Sequence, residues 1–124
     1  MDFTRIDLAI EDFVAGKNIS VSSDSNSDWL VFDWRQLTWR KYGIDYLIEL
    51  YPNFDSDENI VSWTFYTAAS FDNNGSRYYI KKEFAKDVTL DSIAQNISSL
   101  LIASFDYISK IKKTEIPLAL RLDQ

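Results

Sequence analysis

Two stretches of the chain place hydrophobic residues three and four positions apart, the spacing that predicts an amphipathic helix. The first ends before Gly16, a residue type common at helix C-termini. Its apolar positions are Phe3, Ile6, Ala9, Ile10, Phe13 and Val14. The second begins after Thr89, a good N-cap, and spans residues 90–113. Its apolar positions are Leu90, Ile93, Ala94, Ile97, Leu100, Leu101, Phe105, Ile108 and Ile111.

Between these helices, hydrophobic and polar residues alternate with the period of two that is typical of strands with one buried face. The alternation predicts strands over residues 29–35 and 44–51, and a short edge strand over residues 18–22. Residues 36–43 show no clear pattern. A last alternating run, residues 116–122, predicts a further strand, either in this sheet or on a partner.

The pair Asn74-Gly75 is the strongest local signal, because Asn-Gly favours the two-residue type I′ turn of a hairpin. This turn fixes the register of both strands, and the pattern then agrees with it: one face is largely apolar and the other is polar with complementary charges. On the apolar face the expected pairs are Asn73 with Ser76, Phe71 with Tyr78, Ala69 with Ile80, Thr67 with Lys82, and Phe65 with Phe84. On the polar face they are Asp72 with Arg77, Ser70 with Tyr79, Ala68 with Lys81, and Tyr66 with Glu83.

The element order α-β-β-β-β-α, with edge strands added at either end, predicts an α+β fold. We expect an antiparallel meander of four to five strands, with a short N-terminal helix and a long C-terminal helix packed on one face. At 124 residues, 46% of them hydrophobic, the chain fits one domain over residues 1–124. The residues expected to face the helices are Leu30, Phe32, Trp34, Ile44, Tyr46, Ile48, Val61, Trp63, Phe65 and Ile80.

The net charge of the chain limits the classes of molecule that it is expected to bind. Nineteen acidic and thirteen basic residues give a net charge of −6, which disfavours nucleic acids and anionic membranes and favours a basic protein. Residues 1–61 hold twelve of the acids and five of the bases, so the acidic surface belongs mainly to this half. The absence of cysteine, of a signal-peptide pattern and of an apolar run of about 20 residues leads us to expect a cytoplasmic protein.

The residue types present exclude most catalytic chemistry. The chain has no histidine and no cysteine, which rules out Ser-His-Asp and Cys-His mechanisms and the usual zinc sites. Asp55, Asp57 and Asn59 are spaced like the start of a calcium loop, but Ile60 and Tyr66 stand where such a loop needs glycine and glutamate. There is no glycine-rich phosphate loop. We therefore predict no catalytic residue, no metal site and no cofactor.

A binding surface is the more plausible site. On the sheet face turned away from the helices, the alternation places aromatic residues among carboxylates, a mixture typical of protein interfaces. The predicted binding residues are Trp29, Asp33, Asp45, Leu47, Glu49, Tyr51, Tyr66 and Tyr79. The alternative is that the C-terminal tail or residues 36–43 cover this face. Leu8 and Ile102 fall outside the apolar helix stripes and mark a candidate homodimer contact.

In its size, acidity and aromatic content, and in a sheet framed by residues 3–15 and 90–113, the whole chain resembles small acidic bacterial immunity proteins, which neutralise toxins in contact-dependent inhibition. The resemblance implies a non-enzymatic inhibitor whose acidic surface caps a basic toxin domain. The element order is also similar to that of secretion-chaperone-like domains, which dimerise and hold segments of other proteins. A small carboxylate-based enzyme is the third alternative.

Overall fold

The structure of the protein is a computed structural model that describes residues 4–24 and 34–119. One helix precedes a five-stranded sheet and a second, longer helix follows it, which confirms the α+β prediction. The strands are antiparallel and lie in the sheet in their order along the chain. The elements are α1 (Thr4–Val14), β1 (Ser20–Asp24), β2 (Trp34–Lys41), β3 (Ile44–Phe54), β4 (Ile60–Asn73), β5 (Ser76–Thr89) and α2 (Leu90–Ser109).

Both helices form where the hydrophobic spacing predicts them. Helix α1 ends just before Gly16, whose φ of 73° is a conformation that costs glycine little. Thr89 caps α2, because its hydroxyl oxygen accepts a hydrogen bond of 3.2 Å from the backbone N–H of Ser92. The predicted extension of this helix to residue 113 is wrong. The chain leaves the helix at Lys110, which lets Ile116 turn back and become buried against the sheet.

The Asn74-Gly75 hairpin has the predicted register. Both turn residues have positive φ, as a type I′ turn requires, and the pairing runs as expected from Asn73 with Ser76 to Tyr66 with Glu83. The predicted pair of Phe65 with Phe84 is wrong. Phe65 faces Ala85 instead, because β5 carries an extra residue at Phe84, a bulge that interrupts the ladder.

Of the strand predicted over residues 29–35, residues 29–33 lie outside the described residues, and Trp34 and Arg35 begin β2. The strand that pairs with β3 is Trp34–Lys41, and Tyr42-Gly43 is the turn between the two. The pairing of β2 with β3 puts Arg35, Leu37 and Trp39 on the helix side, so the face expected for Trp34 is wrong. Trp39 now packs on the helix side, 4.9 Å from Phe105 between ring centroids, and Arg35 is buried on that side. Trp34, expected in the core, points to the opposite face.

Residues 29–33, which include Leu30 and Phe32 of the expected core, lie outside the described residues. The remaining predicted core is confirmed apart from Trp34, described above, and Val61, which is exposed beside a register irregularity between β3 and β4. The edge strand predicted over residues 18–22 is β1, two residues further along. Leu8 and Ile102 are 54% and 53% exposed, as expected.

Apolar side chains of both helices pack on one face of the sheet. The larger cluster joins α1 and α2 to β2, β3 and β4; its fully buried members include Ile10, Leu37, Ile48, Phe65 and Leu101. A smaller cluster at the Tyr42-Gly43 end of the sheet contains Ile44, Tyr46, Ala69, Phe71, Ile108 and Ile116. Of the strand predicted over residues 116–122, residues 120–122 lie outside the described residues; the described part lies along the edge of β5 and forms a bridge between Leu118 and Tyr78 rather than a strand. Within the described residues, neither helix is apolar enough over a sufficient length to cross a membrane.

Candidate functional site

The sheet face opposite the helices is the candidate site and is called the open face below. It carries every second residue of each strand, while the alternate residues enter the core against α1 and α2. Six of the eight predicted binding residues lie on this face. They are Asp45, Leu47, Glu49, Tyr51, Tyr66 and Tyr79. The other two, Trp29 and Asp33, lie outside the described residues.

Glu49 is at the centre of the open face, in a cross-strand row with Gln36 on β2 and Tyr66 on β4. Its side chain is only 5% exposed. One carboxylate oxygen lies 3.1 Å from Nζ of Lys81, and the other accepts a hydrogen bond of 3.0 Å from the amide of Gln36. The carboxylate is therefore compensated within the chain, as a buried charge must be.

The pKa of Lys81 reflects this pairing. Burial alone lowers the pKa of this lysine, but the hydrogen bond and the charge of Glu49 raise it by more, so the net shift is upward. The ammonium is thereby held in its charged form beside the carboxylate. It also lies over two rings, 4.7 Å from the centroid of Tyr66 and 5.7 Å from that of Tyr51, within the range of cation–π attraction.

Three aromatic side chains, Trp34, Tyr51 and Tyr66, form what we call the aromatic cluster. The ring centroids of Tyr51 and Tyr66 are 5.6 Å apart in an edge-to-face arrangement, and those of Trp34 and Tyr51 are 6.4 Å apart. All three are partly buried. Burial raises the pKa of Tyr51, and its hydrogen bond to Glu49 raises it further. The cluster is thus fixed by contacts within the face while part of its surface remains accessible.

Beside the aromatic cluster, the open face ends in hydrogen-bonded polar side chains. The amide of Asn53 donates to the hydroxyl oxygens of Ser62 and Thr64, at 3.0 and 2.9 Å. The loop that follows β3 carries three exposed acids, Asp55, Asp57 and Glu58, which we call the acidic loop. Asp55 closes this loop, because its carboxylate accepts from the backbone N–H groups of residues 57 and 59.

The other end of the open face carries charged side chains of both signs, with Asp72 opposite Arg77 and Asp45 opposite Arg40. A shallow cavity of about 500 Å³ lies there, with small side chains such as Ala68 and Ser70 at its base. Arg40 is 3.8 Å from Asp45, but both side chains are largely exposed, so this ion pair contributes little. Arg77 lies over the ring of Tyr79 and forms no ion pair with a described residue. The open face is therefore acidic at the end of the acidic loop and carries charges of both signs at the other end, where the pair of Asp72 with Arg77 is the complementary pair that the hairpin register predicts.

Sequence reasoning missed Trp34, Gln36 and Lys81 as members of the site. For Trp34 and Gln36, the signal in the sequence was the Tyr42-Gly43 pair. A two-residue turn at this pair sets a register that places both residues on the same face as Glu49. For Lys81 the predicted hairpin register already gave the correct face. What it lacked was the diagonal contact to Glu49, which depends on how β3 aligns with β4.

The described residues contain no cluster of three acidic side chains that could hold a metal ion. No family model matches the chain, and no curated protein and no solved structure is significantly similar to it. Its function is therefore inferred below from the chemistry of its own side chains.

Proposed function

We propose that the protein is a non-enzymatic protein-binding module of the immunity type, which caps a basic toxin domain in the cytoplasm. The observation that carries this proposal is the aromatic cluster on the open face. No helix of the described chain covers these rings, and the acidic loop lies at the same end of the sheet. Aromatic anchors beside a charged rim are the usual composition of a protein interface.

The packing of the cluster supports a role in binding. Tyr51 is in contact with both other rings and lies over Lys81, so its side chain loses little conformational freedom when a partner docks. Rigid, partly exposed tyrosine and tryptophan side chains are the residue types that contribute most to interfaces. The acidic loop adds long-range attraction, which accelerates association with a basic partner.

The state of Glu49 argues against the enzyme alternative. A general acid or base needs a carboxyl group that reaches the substrate and exchanges a proton with it. The carboxylate of Glu49 instead has an ammonium on one oxygen and an amide on the other, and it is almost fully buried. The carboxylate that the sequence places at the centre of this face thus stabilises the sheet rather than facing a ligand.

The test is a pull-down from lysate of the source organism with the full chain as bait, at about 0.05 M and about 0.5 M salt. We expect a basic protein that is retained at low salt and weakened at high salt. The double variant Tyr51→Ala/Tyr66→Ala should bind it at least about tenfold more weakly, a loss of about 1.4 kcal/mol or more. Tyr107→Ala, a partly exposed tyrosine on α2, is the matched control and should bind normally.

The charge component is tested separately with Asp57→Asn/Glu58→Gln, which leaves the loop-closing Asp55 in place. This variant should slow association several-fold at low salt and have little effect at high salt, because rim charges act mainly on the association rate. Retention of an acidic protein, or equal binding by the tyrosine double variant and wild type, would show that the proposal is wrong.

A dimeric, chaperone-like binding protein is the second candidate. The observation that favours it is the exposure of two large aliphatic side chains, Leu8 on α1 and Ile102 on α2, on helices that pack against each other. Sedimentation of the full chain decides between the candidates. If the wild type is a dimer that Leu8→Ser/Ile102→Ser converts to a monomer, the chaperone-like function is supported. If the wild type is a monomer, the chaperone-like function is ruled out.

A further inference from the structure

Two tight hairpins end at the same edge of the molecule and differ in their turn residues. Asn74 and Gly75 adopt φ of 53° and 84°, and Tyr42 and Gly43 adopt φ of 55° and 78°. Asparagine tolerates the left-handed conformation, whereas a bulky aromatic residue rarely adopts it. The side chain of Tyr42 is nevertheless 83% exposed and gains little from packing. A strained backbone under an exposed ring points to a role outside folding.

Tyr42 forms one wall of a cleft of about 560 Å³ between this hairpin and the segment that follows α2. Ile44 and Ile111 provide apolar lining, and three lysines, Lys110, Lys112 and Lys113, surround it. A volume of this size is within the range of about 300–1,000 Å³ that small-molecule sites occupy. An apolar lining with a few charged groups is also the composition of such sites.

The lysines are attached to a fixed segment of backbone. The hydroxyl of Tyr46 donates a hydrogen bond of 3.1 Å to the carbonyl oxygen of Ile111, and Ile116 is buried in the smaller core cluster. The backbone N–H of Ile116 in turn bonds to the carbonyl oxygen of Lys113 at 3.1 Å. The segment that carries the three ammonium groups is thus held at both ends, which limits the conformational cost of binding.

The ammonium group of Lys113 lies between an aromatic ring and the turn glycine. Its Nζ lies 5.2 Å from the ring centroid of Phe71 and passes close to Gly43, where an added Cβ would be 3.1 Å from that nitrogen. None of the three lysines forms an ion pair with a described residue. The dipole of α2 accounts for Lys110 at its C-terminus, but Lys112 and Lys113 lie beyond the helix. Neither of these two charges therefore has an anionic partner among the described residues.

We propose that this cleft binds a small organic anion with an apolar or aromatic body and a phosphate or carboxylate group. The body lies against Tyr42 and the isoleucines, and the anionic group is held by the lysines, which suit it because ammonium groups bind phosphate as point charges. The site is on the helix side of the sheet, away from the aromatic cluster, so it does not depend on the partner-binding role of the open face.

The test is a titration of the full ¹⁵N-labelled chain with phenyl phosphate, followed by amide chemical shifts. Phenol and inorganic phosphate are titrated in parallel as the separate halves of the probe. We expect saturable shifts at residues 42–44 and 109–113, with phenyl phosphate binding at least about tenfold more tightly than either half. Equal affinity for inorganic phosphate would reveal an unspecific effect of charge, and shifts at other residues would place the ligand elsewhere. Either outcome would overturn the proposal.

Matched variants sharpen the test. Gly43→Ala and Gly75→Ala carry a similar backbone strain, but only the first brings a methyl group against Lys113, since the second meets no atom within 4 Å. Gly43→Ala should weaken phenyl phosphate binding several-fold and Gly75→Ala should leave it unchanged. Lys110→Gln/Lys112→Gln should weaken it at least about tenfold, while Lys82→Gln/Lys86→Gln, which removes the same charge from exposed positions on β5, should have little effect. Equal binding by the two lysine double variants would refute the site even if Gly43→Ala fails to fold.

Tyr42→Asn provides a readout that a purely structural role would not produce. Asparagine suits the turn better, so the urea midpoint of unfolding should rise. Phenyl phosphate binding should fall at the same time, because the aromatic wall is lost. A variant that is more stable and binds the probe as tightly as wild type would overturn the assignment of Tyr42 to the site.

Discussion

On the helix-covered face of the sheet, Arg35 is paired with Asp7 of α1 at 2.9 Å; on the open face, Glu49 is paired with Lys81 at 3.1 Å. Each pair joins a buried group to a more accessible one: the side-chain exposures are 8% against 47% in the first pair and 5% against 36% in the second. On both faces, a buried charge is thus paired with an accessible charge of opposite sign. They differ in what surrounds the pair: the pair on the helix side joins a helix to the sheet, whereas the pair on the open side lies within the sheet, where the ammonium is over the ring of Tyr66 and the carboxylate accepts from Gln36.

The largest expected difference between the faces is in the cost of removing a ring. Phe65 and Tyr66 are adjacent on β4, but Phe65 is fully buried in the core and Tyr66 is a partly exposed member of the aromatic cluster. Phe65→Ala should lower the free energy of unfolding by about 3–5 kcal/mol because it leaves a cavity. Tyr66→Ala should cost only about 1 kcal/mol. Urea denaturation of both variants measures the difference, and equal losses would contradict the assignment of the two faces.

A smaller difference in the free energy of unfolding is expected when one or the other partner of an ion pair is replaced. Removing the accessible partner leaves a buried charge uncompensated, so Lys81→Met should destabilise the protein by about 2–3 kcal/mol. Glu49→Gln leaves only an accessible ammonium and should cost about 1 kcal/mol.

The double variant Glu49→Gln/Lys81→Met is the control for this prediction, because it removes both charges together. Its free energy of unfolding should be higher than that of Lys81→Met alone, which is the coupling expected of residues in contact. If Glu49→Gln proves more destabilising than Lys81→Met in urea, the carboxylate is not the buried member of the pair.

The parts of the fold that were predictable depend on local chemistry. Asn74-Gly75 has one well-favoured turn type, and the alternation on both sides of it agrees with that turn, so the pairing was correct as far as Tyr66 with Glu83. It failed at Phe65, because nothing in the alternation reveals the extra residue that forms the bulge. Turn chemistry and periodicity thus predict a register only until the ladder becomes irregular.

The candidate site was less predictable, because it depends on the alignment of three hairpins. Tyr42-Gly43 does not look like a turn, since tyrosine is unfavourable at its first position. Residues 29–35 alternate well enough to attract the strand assignment instead. The error moved Trp34 from the open face into the predicted core. Tyr42 is energetically costly at this turn, and for that reason the turn and strand β2 before it were not recognised in the sequence. Local rules often fail in this way at functional positions.

The smallest effect compares two tyrosines of β3 that are five residues apart and so face opposite sides of the sheet, Tyr46 in the core and Tyr51 on the open face. Both have a raised pKa: burial causes it in Tyr46, while in Tyr51 burial is reinforced by Glu49. A group whose pKa is higher in the folded than in the unfolded state contributes stability that is complete below the unfolded value of about 10. That contribution is lost as the pH rises through the folded value. Wild type should therefore lose stability from about pH 10 upward, and less steeply in Tyr51→Phe.

The salt dependence of stability distinguishes the two causes of the raised pKa values, which are burial and the charge of Glu49. Part of the shift in the pKa of Tyr51 comes from charge, because Glu49 raises this pKa by more than Lys81 lowers it. Salt screens such charge interactions, less strongly where they are buried, whereas the effect of burial is insensitive to salt. We therefore expect that about 1 M salt reduces the difference in alkaline stability between wild type and Tyr51→Phe, but leaves the difference between wild type and Tyr46→Phe nearly unchanged. Urea midpoints at about pH 9 and about pH 11 measure both differences. A salt response of equal size at the two positions would mean that Glu49 does not act on Tyr51, and that the open face is as insulated from charge as the core.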